Sequence, residues 1–421
     1  MLSAFMRQPF PFIPRLLTLL LVLLSWLAVP TSGQAQARLS GVVLDSLTRQ
    51  PLPFGTVFLA NTTLGNSTDK DGRFVFERVP PGTYEVVASY LGYSLRRQVV
   101  VISTTPQQLT FRLPSAANAL GEVVVRATPN NPDDYRKFAE TFLGSTSFSR
   151  QCRIPDPEAV RVHYDAQANE LHATSAEFVT VENRALGYRI KYYGLDFRLN
   201  FREQWVAFYG WPIMEPLRTR SGRQQRRWEA NRRAAYLGSL THFLRSVYEN
   251  RVAEEGFQVR RLRRLANPAR AQADSLLTIM RQQASWRRPL NPARFDDSIS
   301  LLMQVPRQLV YLYAQSLPTA AFRQSSPTQV ALQFPDLLQV TYDQEKPDPA
   351  YAAYVARNAP LGQRTAAPTT QFSVLHLLAP RVLLQPGGQP ANPLEVLTEG
   401  YWGFEKLGEF LPVNYQPTTP R

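Results

Sequence analysis

Residues 38–113 carry short apolar alternations that are separated, at regular intervals, by residues that favour turns. Apolar side chains recur along 38–45 and 98–102, whereas 69–72 and 80–83 are rich in Asp, Gly and Pro. Strands this short and this evenly spaced pack face to face as two sheets. The sequence therefore predicts an all-β sandwich near the N-terminus.

An export signal is predicted ahead of the sandwich. Arg7 and Arg15 precede an apolar run over 16–29, which Pro30 ends, and Ala35-Gln-Ala37 has the small-x-small pattern of a cleavage site. The 14 residues of that run would span about 21 Å as a helix, at about 1.5 Å each, against a hydrocarbon core of about 30 Å. We therefore expect cleavage rather than anchoring, with no transmembrane span in the mature chain.

The charge of the chain narrows the choice of partners. The formal net charge is +14, and removal of Arg7 and Arg15 leaves 14 − 2 = +12. In an exported protein, acidic glycans and anionic lipids are nearer partners than nucleic acid. The single cysteine, Cys152, excludes an internal disulfide framework.

Behind the sandwich the pattern changes to a mixture of helices and strands. Tyr135, Phe138 and Phe142 recur at helical spacing, and from about residue 158 the apolar period becomes two, which is typical of antiparallel strands with one dry face. Further strands are predicted at 308–313, 329–333, 338–342 and 372–376, and amphipathic helices within 223–255, 276–286 and 401–411. The predicted segments are a signal peptide (1–37), a β-sandwich (38–127), an α+β domain (128–265) and a β-rich or mixed C-terminal region (266–421).

The front segment resembles the carboxypeptidase regulatory-like domain of exported Gram-negative proteins. The residues that carry this resemblance are 41–45, 51–54, 69–72, Phe74, 79–82, Tyr84, 92–93 and 122–125. The resemblance implies a transthyretin-like (prealbumin-like) sandwich that acts as an accessory module beside other domains. The whole chain also resembles a group of exported proteins in which this sandwich precedes a poorly characterised region. The second resemblance rests on 183–188, 228–232, 238–245 and 400–403, and it implies a location in the periplasm, at the outer membrane or at the cell surface.

A search for catalytic motifs finds none that is complete. The four histidines, His163, His172, His242 and His376, all lack an acid three residues later, and the chain contains no His-Glu-x-x-His. It also has no Gly-x-Ser-x-Gly motif and no phosphate-binding Gly-rich loop. We expect no enzyme activity, cofactor or metal, although an envelope hydrolase with a non-standard site in 130–421 and a structural assembly factor stay open as alternatives.

Candidate ligand-binding residues cluster in one basic stretch. On a helix, Arg223, Arg226, Arg227 and Arg233 would share a face that suits anions, and a solvated basic face is the competing interpretation. The full candidate set is Arg223, Arg226, Arg227, Trp228, Arg233, His242 and Arg245. The sequence thus predicts a non-catalytic envelope protein that recognises a glycan, an anionic lipid or an outer-membrane protein.

Overall fold

The computed structural model describes residues 37–116, 130–286, 292–358 and 366–417. The predicted signal peptide up to residue 36, and residues 122–125, which carry part of the family resemblance, lie outside these ranges. No helix in the described ranges is both long and apolar enough to cross a membrane.

The predicted sandwich is present. Its strands are β1 (Ala37–Asp45), β2 (Thr56–Leu59), β3 (Gly65–Ser67), β4 (Arg73–Val79), β5 (Gly82–Ser89), β6 (Arg96–Ile102) and β7 (Gln107–Leu113). They form the sheets β4–β1–β7 and β3–β2–β5–β6, in which β1 is antiparallel to β4 and parallel to β7. Leu39, Phe74, Val86 and Phe111 fill the space between the sheets, so the alternation in the sequence is the inward-facing row of each strand.

A six-stranded antiparallel sheet follows, which we call the middle sheet. It is preceded by α1 (Pro132–Leu143) and built from β8 (Cys152–Arg153), β9 (Val160–Asp165), β10 (Glu170–Ser175), β11 (Phe178–Asn183), β12 (Tyr188–Asn200) and β13 (Trp205–Pro216). The Asn131 side chain caps α1 by accepting from the N–H of Asp133. Phe138 and Phe142 of α1 pack on Phe197 of β12, so the helical spacing predicted there is confirmed.

The basic helical stretch predicted over 223–255 is two helices. They are α2 (Gly222–Tyr236) and α3 (Leu240–Glu249). Gly238 separates them with φ 76°, and a Cβ at this position would lie 2.1 Å from Gln371 Oε1. The chain turns here because glycine alone fits both the left-handed backbone and the close contact.

The C-terminal region contains two further sheets. Its elements are β14 (Phe257–Ala266), α4 (Pro268–Trp286), α5 (Pro292–Gln304), β15 (Gln308–Ser316), β16 (Arg323–Ser325), β17 (Val330–Leu332), β18 (Leu337–Tyr342), α6 (Pro349–Asn358), β19 (Gln371–Leu377), β20 (Val382–Gln385), β21 (Gln389–Pro390), β22 (Val396–Gly400) and α7 (Tyr401–Phe404). The sheets are β15–β14–β18–β19–β22 and β16–β17–β20–β21. Phe243 and Val247 of α3 pack between them, together with Trp402.

The region behind the sandwich is therefore α+β, as predicted. The boundary placed at residue 265 cuts through β14, whose sheet partners β15 and β18 both lie later in the chain. The helix predicted within 401–411 is shorter than expected: α7 ends at Phe404, and a single 3-10 turn follows at Leu407–Glu409.

Candidate functional site

The sandwich is fastened to the middle sheet. Phe58 packs on Tyr193 with ring centroids 4.8 Å apart, in an apolar cluster that also contains Ile213. Main-chain hydrogen bonds join the two parts, from Asn61 N–H to the Pro212 carbonyl (2.7 Å) and from Met214 N–H to the Thr62 carbonyl (3.0 Å). This combination of a dry contact and main-chain bonds holds β13 and the sandwich in one fixed arrangement.

Exposed arginines surround the start of α2. Ser221 caps this helix by accepting from the N–H of Gln224 (3.3 Å), and the arginines at 218, 220, 223, 226 and 227 are all exposed. Arg227 donates to Gln151 Oε1 (3.0 Å). Within the described residues, the other four make no ion pair or side-chain hydrogen bond. The helix N-terminus adds positive potential to the same area.

The same basic area continues onto the middle sheet through Gln151, whose carbonyl accepts from the N–H of Arg184. Arg153, Arg184 and Arg189 all point to Glu182, with N–O distances of 2.8, 3.7 and 3.8 Å. The hydrogen bond from Arg153 holds the pKa of Glu182 below its usual range, so this carboxylate stays ionised. Three guanidinium groups therefore share one negative charge.

We define the arginine surface as the exposed guanidinium groups that meet around Gln151, Glu182 and the start of α2. Its members are Arg153, Arg184, Arg189, Arg218, Arg220, Arg223, Arg226 and Arg227. Arg223, Arg226 and Arg227 of the predicted set belong to it. Sequence reasoning missed Arg153, Arg184 and Arg189. The pairing of β11 with β8 and β12 brings Arg153 and Arg189 to Glu182, which Arg184 follows by two residues.

Trp228 and Arg233 lie away from this surface. Trp228 is only 6% exposed. Its indole N–H donates to the Arg184 carbonyl (2.9 Å) and its ring covers Gly187. Arg233 is half-buried and lies near Glu345, where its charge opposes the effect of burial, which raises the pKa of Glu345 to about 7. Both side chains therefore face the interior of the fold.

His242 is buried and uses both ring nitrogens within the fold. Nδ1 accepts the N–H of Gly238 (3.1 Å), which leaves the proton on Nε2, and Nε2 donates to Glu255 Oε2 (3.2 Å). Burial lowers the pKa of His242, so the ring is neutral at pH 7. His163 is exposed instead and lies opposite the half-buried His172 on the neighbouring strand. Over the described ranges, no three His, Cys, Asp or Glu side chains are placed to hold a metal ion.

Arg245 is buried in a cage of oxygen atoms. Its guanidinium donates to the Tyr236 hydroxyl (3.2 Å) and to the carbonyls of Gly387 (3.3 Å), Val413 (3.1 Å) and Tyr415 (3.2 Å). These contacts tie α3 to the turn after β20 and to the C-terminal tail.

A groove of about 340 Å³ lies between the sandwich and the middle sheet. Phe54, Tyr90, Phe178 and Tyr193 supply aromatic walls, and Glu177 supplies the one charged side chain. Phe54 is 78% exposed and has φ 60°, a backbone conformation that is strained for a bulky residue. Sequence reasoning missed this groove. Two signals were present in the sequence: an aromatic residue in the Pro53-Phe54-Gly55 turn, and the aromatic-rich stretch 188–211, which contains Tyr193.

Comparison with known families identifies the sandwich. Residues 39–125 match the model of the CarboxypepD_reg-like domain, so the predicted carboxypeptidase regulatory-like domain is confirmed. This domain class is regulatory and not catalytic. No curated protein sequence matches the chain.

Several solved structures are similar to parts of the chain. The pilus 2b backbone protein of group B streptococcus shares 17% identity over 20% of this chain and 43% of its own length, with a TM-score of 0.18. A cohesin–X-dockerin complex mutant from Acetivibrio cellulolyticus shares 21% identity over 26% of this chain and 76% of its own, with a TM-score of 0.18. A candidate carbohydrate binding protein from Bacteroides uniformis shares 12% identity over 42% of this chain and 79% of its own, with a TM-score of 0.17. The chain thus spans less than half the length of the pilus protein.

Proposed function

We propose that this is a non-catalytic binding protein of the cell envelope, and that its arginine surface holds anionic groups of an envelope polymer or lipid. One observation carries the proposal: three exposed guanidinium groups share the single carboxylate of Glu182, and five more exposed arginines lie around the start of α2. The family of the sandwich supports a binding role, because it is an accessory domain and not a catalytic one.

Guanidinium chemistry defines the class of ligand. Each group offers five donors in a planar fork that matches phosphate and carboxylate oxygens in pairs. Arg223, Arg226 and Arg227 share one face of α2 because residues three and four apart are neighbours on a helix. The site is open and charged, so its affinity depends strongly on ionic strength.

The arrangement of β13 supports a role for the sandwich as a brace. Ile213 contacts the sandwich, and Arg218, at the start of the arginine surface, follows five residues later in the sequence. The bonds at Pro212 and Met214 fix this strand. The sandwich and the arginine surface therefore keep a constant orientation relative to each other.

Charge-matched variants test the proposal. We expect the triple variant R218Q/R223Q/R226Q to bind phosphatidylglycerol vesicles or polygalacturonate about 100-fold more weakly than the unmodified chain, since each basic residue contributes about 1 kcal/mol near an anionic surface. The control R78Q/R96Q/R112Q removes the same charge from exposed arginines of the sandwich and should keep most of the affinity. Loss confined to vesicles, or to polygalacturonate, identifies the source of the anion.

Two results would contradict this function. Equal losses in the two triple variants would show that only net charge matters. Full binding by R218Q/R223Q/R226Q would remove the arginine surface from recognition altogether.

A neutral glycan is the second candidate ligand, and the exposed, strained Phe54 at the groove favours it. Sugar rings stack on aromatic faces, and Glu177 can accept hydrogen bonds from their hydroxyls. Calorimetry with neutral oligosaccharides should show binding that Phe54→Ala abolishes. Leu47→Ala, at a position that is also 78% exposed, should leave oligosaccharide binding unchanged. Equal binding by the two variants would show that the groove is not the sugar-binding site.

A further inference from the structure

Strands β14 and β15 extend beyond the rest of their sheet as a two-stranded ribbon. β14 pairs with β18 only as far as Leu262, whereas it pairs with β15 as far as Ala266. The helices α4 and α5 continue from the two strands of this ribbon, and Arg270 of α4 donates to the Met303 carbonyl of α5 (3.2 Å). We call residues 263–313, which comprise the ribbon and the two helices, the arm.

The arm exposes much of the apolar surface of the molecule. Of the twenty large apolar side chains that are exposed in the described ranges, nine lie in the arm. They come from both helices and both strands of the arm, and they are Leu265, Leu276, Ile279, Leu301, Met303, Val310, Tyr311, Leu312 and Tyr313. A concentration of exposed apolar side chains marks a site of contact with a protein or a membrane.

The arm is also basic. It contains eight arginines, three aspartates and no lysine or glutamate, which gives a net charge of 8 − 3 = +5. Asp336 and Glu399, outside the arm, form ion pairs with two of its arginines, and 5 − 2 = +3 remains after both are counted. Arg281 and Arg307 are exposed and make no ion pair with any residue that the structure describes. A negatively charged partner is therefore the electrostatic complement of the arm.

The two properties together select an anionic lipid surface. A soluble polyanion would match the arginines but would leave the apolar side chains in water. A strand of another protein would cover β15 but would leave Leu276 and Leu301 of the helices exposed. A bilayer interface accommodates both kinds of side chain, because apolar groups enter the boundary between headgroups and acyl chains while arginines bind lipid phosphates. Tyr311 and Tyr313 suit this depth, since each combines an apolar ring with a polar hydroxyl.

We infer that the arm docks on the surface of an anionic bilayer and inserts its exposed apolar side chains into the headgroup region. The arm lies on the bilayer in this arrangement and does not cross it. The inference goes beyond the proposed function, because it concerns a different part of the chain from the arginine surface and adds the burial of apolar side chains to the recognition of anions.

Vesicle binding by the full chain tests this inference. We expect the unmodified chain to sediment with phosphatidylglycerol vesicles. The variant L276S/L301S/V310S changes arm residues that are at least 50% exposed and should bind these vesicles about 30-fold more weakly, since each apolar side chain that leaves water adds to the affinity. The control L47S/L378S/L394S changes leucines outside the arm that are at least 61% exposed, and it should bind the vesicles as the unmodified chain does.

A polarity-sensitive fluorophore shows directly whether the arm enters the interface. Attached to Leu301→Cys, the fluorophore should shift its emission to the blue when phosphatidylglycerol vesicles are added, because its surroundings become less polar. Attached to Leu394→Cys, outside the arm, it should not shift. The native Cys152 reacts slowly with the label, because burial raises the pKa of its thiol to about 12.

The same measurements separate this inference from the proposed function. L276S/L301S/V310S should bind polygalacturonate as the unmodified chain does, because no arginine is changed. R218Q/R223Q/R226Q should still give the emission shift at Leu301→Cys when vesicles are saturating, because the arm is intact. The arm and the arginine surface can therefore fail independently.

Three outcomes would overturn the inference. They are an unmodified chain that does not bind phosphatidylglycerol vesicles, normal vesicle binding by L276S/L301S/V310S, and equal emission shifts at Leu301→Cys and Leu394→Cys. Circular dichroism checks that the triple variant is folded, and the fluorophore measurement decides the matter if it is not. Capture of a strand-forming protein through β15, by a chain that does not bind vesicles, would equally rule out docking on lipid.

Discussion

Two groups of arginines in this molecule have opposite surroundings. Arg232, Arg245 and Arg323 point inward and donate to main-chain carbonyls, as in the bonds from Arg323 to Val247 (2.7 Å) and Tyr248 (3.1 Å). Arg218 and Arg223 are exposed and make no such bonds to any residue that the structure describes. The basic composition therefore divides into arginines that hold the scaffold together and arginines that are free to meet a ligand, and a net charge alone does not separate the two.

The inward group works without acidic partners because main-chain carbonyls act as its acceptors. Arg323 donates to the carbonyls of Val247 and Tyr248 in the last turn of α3, and the negative end of the helix favours its charge. Arg232 donates hydrogen bonds to the carbonyls of Leu186 and Gly187, and its guanidinium carbon lies 4.2 Å from the centre of the Tyr188 ring. Each of these arginines joins segments that are far apart in the sequence.

Among the variants that test this comparison, we expect the largest loss of stability from Arg245→Met. The change leaves the carbonyls of Gly387, Val413 and Tyr415 without donors, and hydrogen bonds to charged groups contribute about 1.5–3 kcal/mol each before compensation. We expect the free energy of unfolding in urea to fall by about 3 kcal/mol. Arg226→Met is the matched control and should change it by less than about 0.5 kcal/mol. Similar values for the two variants would erase the distinction between the groups.

The second effect is a dependence of stability on pH, which we expect from the buried carboxyl group of Glu409. Glu409 is 8% exposed and accepts from the Thr146 hydroxyl, yet burial raises its pKa to about 7. A raised carboxyl pKa gives stability that is complete below about pH 4.5 and is lost as the pH rises through 7. The full change corresponds to about 3 kcal/mol.

The variant Glu409→Gln isolates that contribution. Gln keeps an acceptor for Thr146 but cannot ionise, so the variant should be more stable than the unmodified chain at pH 8.5 and similar to it at pH 5. Thermal unfolding at the two pH values measures the difference. A parallel pH dependence in both proteins would show that Glu409 does not titrate in this range.

A smaller effect is expected from Arg232→Met. The side chain is half-buried, and its two carbonyl partners sit in a turn that can reach water once the guanidinium is gone. We expect a loss of about 1–2 kcal/mol in urea unfolding. A loss as large as that of Arg245→Met would mean that the degree of burial does not determine how much each arginine stabilises the fold.

The smallest effect on stability is expected from R218Q/R223Q/R226Q. No described residue is bound by these three side chains, so the unfolding free energy should stay within about 0.5 kcal/mol while binding to anions is lost. A destabilisation near 2 kcal/mol would place them with the structural arginines.

Local sequence patterns predicted the helices and strands of this fold better than they predicted its exposed surfaces. The alternation before residue 113 and the spacing of Phe138 and Phe142 depend on neighbours in sequence, and both elements were predicted. The break at Gly238 depends on Gln371, which lies far along the chain. The 3-10 turn after α7 also depends on a distant residue, because Gly408 packs against Ser149, where a Cβ would lie 2.3 Å from the hydroxyl oxygen.

In the candidate site, too, local spacing predicted some residues correctly, whereas others depend on partners that are distant in sequence. Helical spacing found Arg223, Arg226 and Arg227, which share a face whatever surrounds them. It could not show that His242, Arg245 and Trp228 turn inward, since their partners come from the turn at 184–187, Glu255 and the C-terminal tail. The strand β15 was predicted from its alternation, but only the sheet order shows that it pairs with β14 alone among the described strands.

The attachment of the tail to the sandwich has a consequence for how the molecule is made. Asn414 accepts from the N–H of Thr63 (3.2 Å), a bond between residues 351 positions apart, and Val413 N–H donates to the Asn61 carbonyl (2.8 Å). During synthesis the sandwich is made before residues 413 and 414 and can fold from its own strands, yet these bonds cannot form until those later residues appear. Contacts this distant in sequence slow folding, so we expect a late step in which residues 413–414 dock on the folded sandwich.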